Sequence, residues 1–112
     1  MRRLLLLDLK DDPALIAAYE DWHRPGRVPQ AVRDSIRAAG IVGLEIYRSG
    51  NRLAMVMETG PGFDPAAKAA ADASDPDVVA WETLMSQFQQ PLPWAEPGEK
   101  WLAAERIFML EG

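Results

Sequence analysis

Tyr19, Trp22 and His23 form the group of side chains in this 112-residue sequence that is best suited to acid–base chemistry. Tyr19 and His23 are four positions apart, so on a helix they project from one face. Histidine ordinarily titrates near neutral pH, which suits it to proton transfer, and a neighbouring tyrosine can donate or accept a hydrogen bond. A structural interpretation stays open, in which His23 only caps its helix, where the macrodipole favours a cation.

Tryptophan is the second unusual feature, with four residues at Trp22, Trp81, Trp94 and Trp101. Aromatic faces stack against the apolar face of a sugar ring, so a concave group of tryptophans can bind carbohydrate. Trp22 and Trp81 lie on apolar helical stripes, where a place in the core is the more frequent outcome. Trp94 lies in a proline-rich loop, and loops often carry binding residues.

The carboxylates are scattered along the sequence. Four of them precede or begin predicted helices and are explained as caps: Asp11, Asp12, Asp64 and Asp75. Three others lie on predicted strands: Glu45, Glu58 and Glu105. A charge on a strand marks either a solvent-exposed face of the sheet or a polar cavity. The candidates for a general base are Tyr19, a carboxylate such as Glu45 or Glu105, and a bound water. Gln89 and Gln90, at a helix end, can bond hydroxyl groups, but such residues are more often simply solvated.

Composition excludes several classes of function. Without cysteine, thiol catalysis and cysteine-ligated metals are excluded, and a single histidine excludes a multi-histidine metal site within one chain. The net charge of −5 argues against nucleic acid or an anionic membrane as the main partner. Apolar runs such as Leu4–Leu7 are far shorter than a membrane span. We expect one cytoplasmic domain over residues 1–112, with no cofactor and no metal.

Hydrophobic periodicity predicts four strands and four helices. The strands are Arg3–Leu9, Ile41–Arg48, Leu53–Glu58 and Trp101–Leu110. The helices follow proline-containing start signals at Asp12-Pro13, Pro29, Asp64-Pro65 and Asp75-Pro76. On the second strand, alternation predicts that Val42, Leu44 and Ile46 share one face.

The resulting order, β-α-α-β-β-α-α-β, predicts a ferredoxin-like α+β sandwich with helices on one face of the sheet. The other face is also rich in leucine, valine and methionine, so it needs a cover. A second copy of the chain is the expected cover, which gives a homodimer whose two sheets form an α/β barrel.

The sequence resembles the L-rhamnose mutarotase family over nearly its full length. The resemblance rests on the order and spacing of several segments more than on any one motif. It begins at Tyr19-x-x-x-His23 and continues in register through Gly40, Ile46-Tyr47, Leu53–Glu58, Asp77–Met85 and Ile107-Phe108.

The resemblance implies a dimeric ferredoxin-like α/β barrel that interconverts the α and β anomers of a 6-deoxy hexose. It implies that His23 is the proton donor and that Tyr19 and Trp81 bind the sugar. Leu44 stands where the family's rhamnose enzymes have a tyrosine, and Glu82 where they often have a second tryptophan. These departures leave the sugar open between L-rhamnose and L-fucose, with Leu44, Glu82 and Trp94 as candidates for a rearranged site.

Two other functions stay open from the sequence. Small barrels of this kind also include cofactor-free monooxygenases that act on aromatic substrates, an alternative that rests on fold analogy. A non-catalytic sugar-binding module is the other, because the changes at Leu44 and Glu82 can remove chemistry while keeping a pocket.

Overall fold

The computed structural model describes residues 1–111, which form one antiparallel sheet and a layer of helices. Three long strands make most of the sheet: β1 (Arg2–Leu9), β2 (Ile41–Ser49) and β3 (Arg52–Thr59). Two short strands, β4 (Gln89–Gln90) and β5 (Leu102–Ala103), both pair with β1. The strand order is β2-β3-β1-β4.

Four helices follow the predicted start signals: α1 (Pro13–Trp22), α2 (Gln30–Ala38), α3 (Pro65–Ser74) and α4 (Pro76–Ser86). Asp12, Asp64 and Asp75 each cap a helix, since their carboxylates accept hydrogen bonds from main-chain N–H groups of the first turn. Proline in that first turn lacks the N–H group that would go unsatisfied there. The architecture is the predicted ferredoxin-like α+β sandwich.

The sheet has a helix-covered face and an open face. On the helix-covered face, Leu9 and Leu53 are buried with Tyr19 of α1 and with Met85 and Phe88 from the α4 region. The open face carries the alternate residues of β1 and β3. Its apolar centre consists of Leu4, Leu6, Ala54 and Val56, paired across the two strands and less buried than the core.

The predicted last strand, Trp101–Leu110, is wrong over most of its length. The structure has β5 at Leu102–Ala103, and the described residues 104–110 that follow form no strand. The Ala104 N–H donates to the Leu4 carbonyl at 2.8 Å, after which the chain leaves β1. Without a neighbouring strand to bond its main chain, an apolar segment does not become a strand. Ile107 is 94% exposed and Phe108 75% exposed.

A second correction concerns Val42, which alternation predicts on the same face as Leu44 and Ile46. The pairing of β2 with β3 slips between Ile41 and Gly43, which makes Val42 the extra residue of a bulge. Ile41 is buried in its place, and Val42 is 73% exposed.

Candidate active site

His23 lies at the C-terminal end of α1, where its ring bonds back to the helix. Its Nδ1 is 2.7 Å from the main-chain oxygen of Tyr19. Because a carbonyl oxygen only accepts, Nδ1 carries the proton and Nε2 is the nitrogen left for a ligand. The main-chain N–H of His23 donates to the Glu20 oxygen at 3.0 Å, a tighter turn than the α-helical bond to Tyr19.

Aromatic rings surround this imidazole. The ring centroids of Tyr19 and His23 are 4.4 Å apart, and the Trp81 ring meets His23 at 5.6 Å, nearly perpendicular to it. Trp22 in turn meets Trp81 at 6.3 Å, edge to face. The structure therefore brings together three of the residues singled out in the sequence, Tyr19, His23 and Trp81.

Tyr19 is buried, and burial raises the pKa of its phenol above the usual value. A hydrogen bond with the Gln89 side chain opposes that rise. The phenol is therefore neutral near pH 7, where it can donate or accept a hydrogen bond but does not supply a phenolate base. Gln89 reaches this place because β4 pairs it with Leu9 at the end of β1.

A cleft of about 340 Å³ opens between the end of α1, the start of α2 and α4. Its walls are mainly apolar and include the rings of Trp22 and Trp81. Asp77, in the first turn of α4, contributes a carboxylate to the wall. The Arg27 guanidinium lies 4.6 Å from the centroid of the Trp22 ring and forms an ion pair with Asp21.

The other candidate binding residues occupy three different places in the fold. Leu44 is on the helix-covered face of β2, half-buried and paired across the sheet with Met57. Glu82 follows Trp81 on α4, and it is exposed. Trp94 lies 5.2 Å from the guanidinium of Arg52, which pairs with Asp8 on the open face. The sheet therefore separates Trp94 from the imidazole within one chain.

The candidate carboxylate bases are not beside the imidazole either. Glu45 accepts a hydrogen bond from Tyr47, and both alternate with Ile46, which packs on the core side. Their side chains therefore belong to the open face. Glu58 forms an ion pair with the N-terminal amino group, and Glu105 is exposed in the segment beyond β5.

Asp77 is the cleft residue that sequence reasoning missed. A carboxylate beside a helix start is ordinarily explained as a cap, but Asp75 fills that role for α4. The signal that could have found it is its spacing, since Asp77 lies four residues before Trp81 and so shares its helix face.

Over residues 1–111, no three His, Cys, Asp or Glu side chains are grouped so as to hold a metal ion. Within the same residues, no helix is long and apolar enough to cross a membrane. The cytoplasmic location and the absence of a nucleic-acid partner stay predictions.

The model of a protein family described as L-rhamnose mutarotase matches residues 2–110. The chain belongs to the L-rhamnose mutarotase family. It is thus an isomerase, a sugar mutarotase, and the mutarotase prediction is confirmed over the monooxygenase alternative. Over 111 residues it is 59% identical to an L-fucose mutarotase of Xanthomonas campestris pv. campestris, covering 98% of this chain and 89% of that protein.

Two solved structures support the fold of this mutarotase family member. An L-rhamnose mutarotase from Formosa agariphila superposes with a TM-score of 0.70 at 18% identity, covering 99% of both chains. Tetracenomycin F2 cyclase, a polyketide cyclase from Streptomyces glaucescens, gives 0.58 at 15% identity, covering 100% of this chain and 98% of that one. At these identities the two likenesses show a shared fold, and no shared substrate follows from them.

Proposed function

We propose that this mutarotase interconverts the α and β anomers of L-fucose, with His23 as the acid that opens the ring. The observation that carries the role of His23 is its Nδ1 bond to the Tyr19 carbonyl, which leaves Nε2 free beside Tyr19 and Trp81. The choice of L-fucose over L-rhamnose is supported by the name of the 59% identical relative. It is also consistent with Leu44 and Glu82, which depart from the rhamnose pattern.

Ring opening requires one proton to be added and another removed. In the proposed mechanism, protonated His23 gives its Nε2 proton to the ring oxygen while the bond from that oxygen to the anomeric carbon breaks. The anomeric hydroxyl loses its proton to water, and its oxygen becomes the aldehyde carbonyl. Rotation about the adjacent carbon–carbon bond turns the other face of the carbonyl to the hydroxyl, and the reverse steps close the ring.

The neighbouring side chains position the sugar in this mechanism. The neutral Tyr19 phenol hydrogen-bonds a sugar hydroxyl, and the Trp81 ring packs against the C–H face of the pyranose. Leu44 is proposed to offer the sugar an apolar contact where a tyrosine would offer a hydroxyl group. Glu82 and Trp94 are proposed as sugar contacts, and Trp94 takes part only if a second chain brings it to the site.

We also propose that the protein is a homodimer. The apolar centre of the open face and the exposed segment Ile107–Leu110 both lack a cover within residues 1–111. Exposed apolar surface of this kind ordinarily marks an interface, and a symmetric pair of copies is the commonest solution. Residues 105–110 gain strand pairing by adding to the sheet of the partner.

Sedimentation of the wild-type protein and of Phe108→Asp tests the dimer. We expect a dimer for the wild type and a monomer for the variant, because a carboxylate cannot be buried without a partner. A wild-type monomer at micromolar concentration would refute the proposal. Val79→Asp, at an exposed position of α4 in the helix layer, serves as the control for an added charge.

The proposed activity is tested by exchange NMR of the anomeric protons. L-Fucose and L-rhamnose are each measured with and without the protein at pH 7. We expect a larger acceleration of α/β exchange for L-fucose. Equal acceleration of both sugars would contradict the specificity, and binding without acceleration of either would leave a non-catalytic sugar-binding module.

A further inference from the structure

The cleft between Trp22 and Trp81 has the chemical character of a sugar site, although His23 does not line it. Its apolar wall is provided by the two indoles, which meet edge to face at 6.3 Å. A pyranose offers apolar C–H faces and hydroxyl edges, so it needs aromatic surface together with a few acceptors. The volume of about 340 Å³ is at the lower end for ligand pockets.

Asp77 supplies the acceptor in this cleft. The cap of α4 is Asp75, whose carboxylate accepts from the main-chain N–H groups of Asp77 and Val78. Among residues 1–111, Asp77 forms no ion pair, and Arg27 near the cleft is already paired with Asp21. The Asp77 carboxylate is therefore available to a ligand, and an ionised carboxylate accepts strong hydrogen bonds from hydroxyl groups.

Trp81 connects this cleft to the candidate acid. Its ring contacts His23 at 5.6 Å and also forms part of the cleft wall. A sugar lying along Trp81 therefore has one end toward the imidazole and the other toward Asp77, one helical turn earlier on α4.

We propose that Trp22 and Asp77 are sugar-binding residues of this mutarotase, holding the end of the pyranose that is remote from the anomeric carbon. The proposal rests on the proposed function, because it assumes that the sugar reacts at His23. L-Fucose and L-rhamnose differ in configuration at C2, next to the anomeric carbon, and at C4, on the remote side of the ring. The C4 hydroxyl is the one that a residue at the remote end of the sugar meets. Asp77 is therefore a specificity-determining residue, and it touches none of the atoms whose bonds change.

Kinetics of Asp77→Asn and Trp22→Phe test this assignment. Loss of a hydrogen bond to a charged acceptor weakens binding about tenfold, so we expect KM for L-fucose to rise about tenfold in Asp77→Asn. We expect kcat to stay within about twofold, because the interaction is the same in the bound sugar and in the transition state. Trp22→Phe keeps an aromatic wall, and we expect a smaller rise in KM.

Two control variants match these changes. Asp34→Asn removes an exposed carboxylate from α2, and Trp101→Phe trims another tryptophan that packs against the core. Both are expected to keep the wild-type KM. A rise in KM of the same size in Asp34→Asn would overturn the assignment, since the effect would then come from net charge.

Direct binding separates this inference from the proposed function. Tryptophan fluorescence is titrated with L-fucose and with L-rhamnose for the wild type, Asp77→Asn and Trp22→Phe. If the wild type accelerates exchange but both variants keep its KM and its binding curve, the inference is wrong and the function stands. If the wild type accelerates neither sugar, the function is wrong, and weaker binding in Asp77→Asn still supports the cleft.

Discussion

The two faces of the sheet carry similar residues in different surroundings. On the helix-covered side, Tyr19 is buried beside His23, and burial raises the pKa of its phenol. On the open face, Tyr47 is exposed and donates to Glu45, and that hydrogen bond is the main cause of its raised pKa. The comparison teaches that residue type alone does not make a site. A tyrosine becomes a candidate for chemistry where it lies in a shielded place beside a titratable ring.

The carboxylates and tryptophans differ in the same way. Asp8 on the open face is 4% exposed. The guanidinium of Arg52 donates one hydrogen bond to each of its carboxylate oxygens, at 2.8 and 3.2 Å. Trp94 covers that guanidinium, so the three side chains tie the loop after β4 to β1 and β3. Asp77 and Trp22, by contrast, border an open cleft. On the open face, Asp8 and Arg52 are hydrogen-bonded to each other. On the helix-covered side, Asp77 and Trp22 remain available to a ligand.

The largest expected effect is that of His23→Ala. We expect the acceleration of L-fucose anomer exchange to fall by about 10²–10⁴-fold, the usual contribution of one general acid. The fold should survive, because His23 is at a helix end and is only half-buried. Exchange NMR measures the rate of anomer exchange, and circular dichroism shows whether the variant is folded. Full activity in the variant would mean that His23 is a helix cap without a chemical role.

Tyr19→Phe and Tyr47→Phe compare the two tyrosines directly. Removing the Tyr19 hydroxyl should slow exchange about tenfold, the value of one hydrogen bond to the sugar. Removing the exposed Tyr47 hydroxyl should leave the rate within about twofold of the wild type. Equal effects of the two variants in the same NMR assay would remove the distinction between the faces.

Arg52→Ala and Arg48→Ala compare two ion pairs of the sheet. Arg52→Ala leaves the buried Asp8 carboxylate without its partner, and an unpaired buried charge is strongly destabilising. Arg48 pairs with Glu20 at the surface, where an ion pair contributes little. We expect Arg52→Ala to lower the midpoint of urea unfolding by clearly more than Arg48→Ala. A larger drop in the midpoint for Arg48→Ala would show that the Asp8–Arg52 ion pair does not stabilise the fold more than a surface ion pair does.

The smallest expected effect is on stability in alkali. Burial raises the pKa of Tyr19, so the unfolded chain ionises this phenol at a lower pH than the folded chain does. The stabilisation is complete below the usual tyrosine pKa of about 10 and is lost as pH rises through the folded value. Tyr19→Phe should therefore lose less stability than the wild type between pH 9 and pH 11. Urea unfolding at several pH values measures this, and parallel curves would contradict it.

Local signals in the sequence were enough to predict most of the fold. Asp-Pro pairs fix the starts of α1, α3 and α4, because a cap needs nothing beyond the residues that it bonds. The segment 104–110 was predicted wrongly since a strand depends on a partner that the sequence of the segment does not contain. The bulge at Val42 was missed for a related reason, because register is set between strands.

The candidate site was predictable to the extent that it lies on helices. Tyr19 and His23 share a face by spacing alone, and Trp81 reaches them from a second amphipathic helix. Trp94 shows the opposite case. Its loop position suggested function, but which side of the sheet a loop residue faces follows from tertiary contacts, here the stacking on Arg52.

The end of α1 makes a main-chain atom a partner of the proposed acid, His23. Because the last turn tightens and the His23 N–H bonds Glu20, the Tyr19 carbonyl is released to hold the imidazole proton on Nδ1. A substitution that extends the helix, such as Pro25→Ala, would let the Tyr19 carbonyl accept a main-chain α-helical hydrogen bond again. The His23 ring would then be free to exchange tautomers. In the proposed mechanism, the stopping point of a helix thus sets which nitrogen faces the sugar, without any second side chain to assign it.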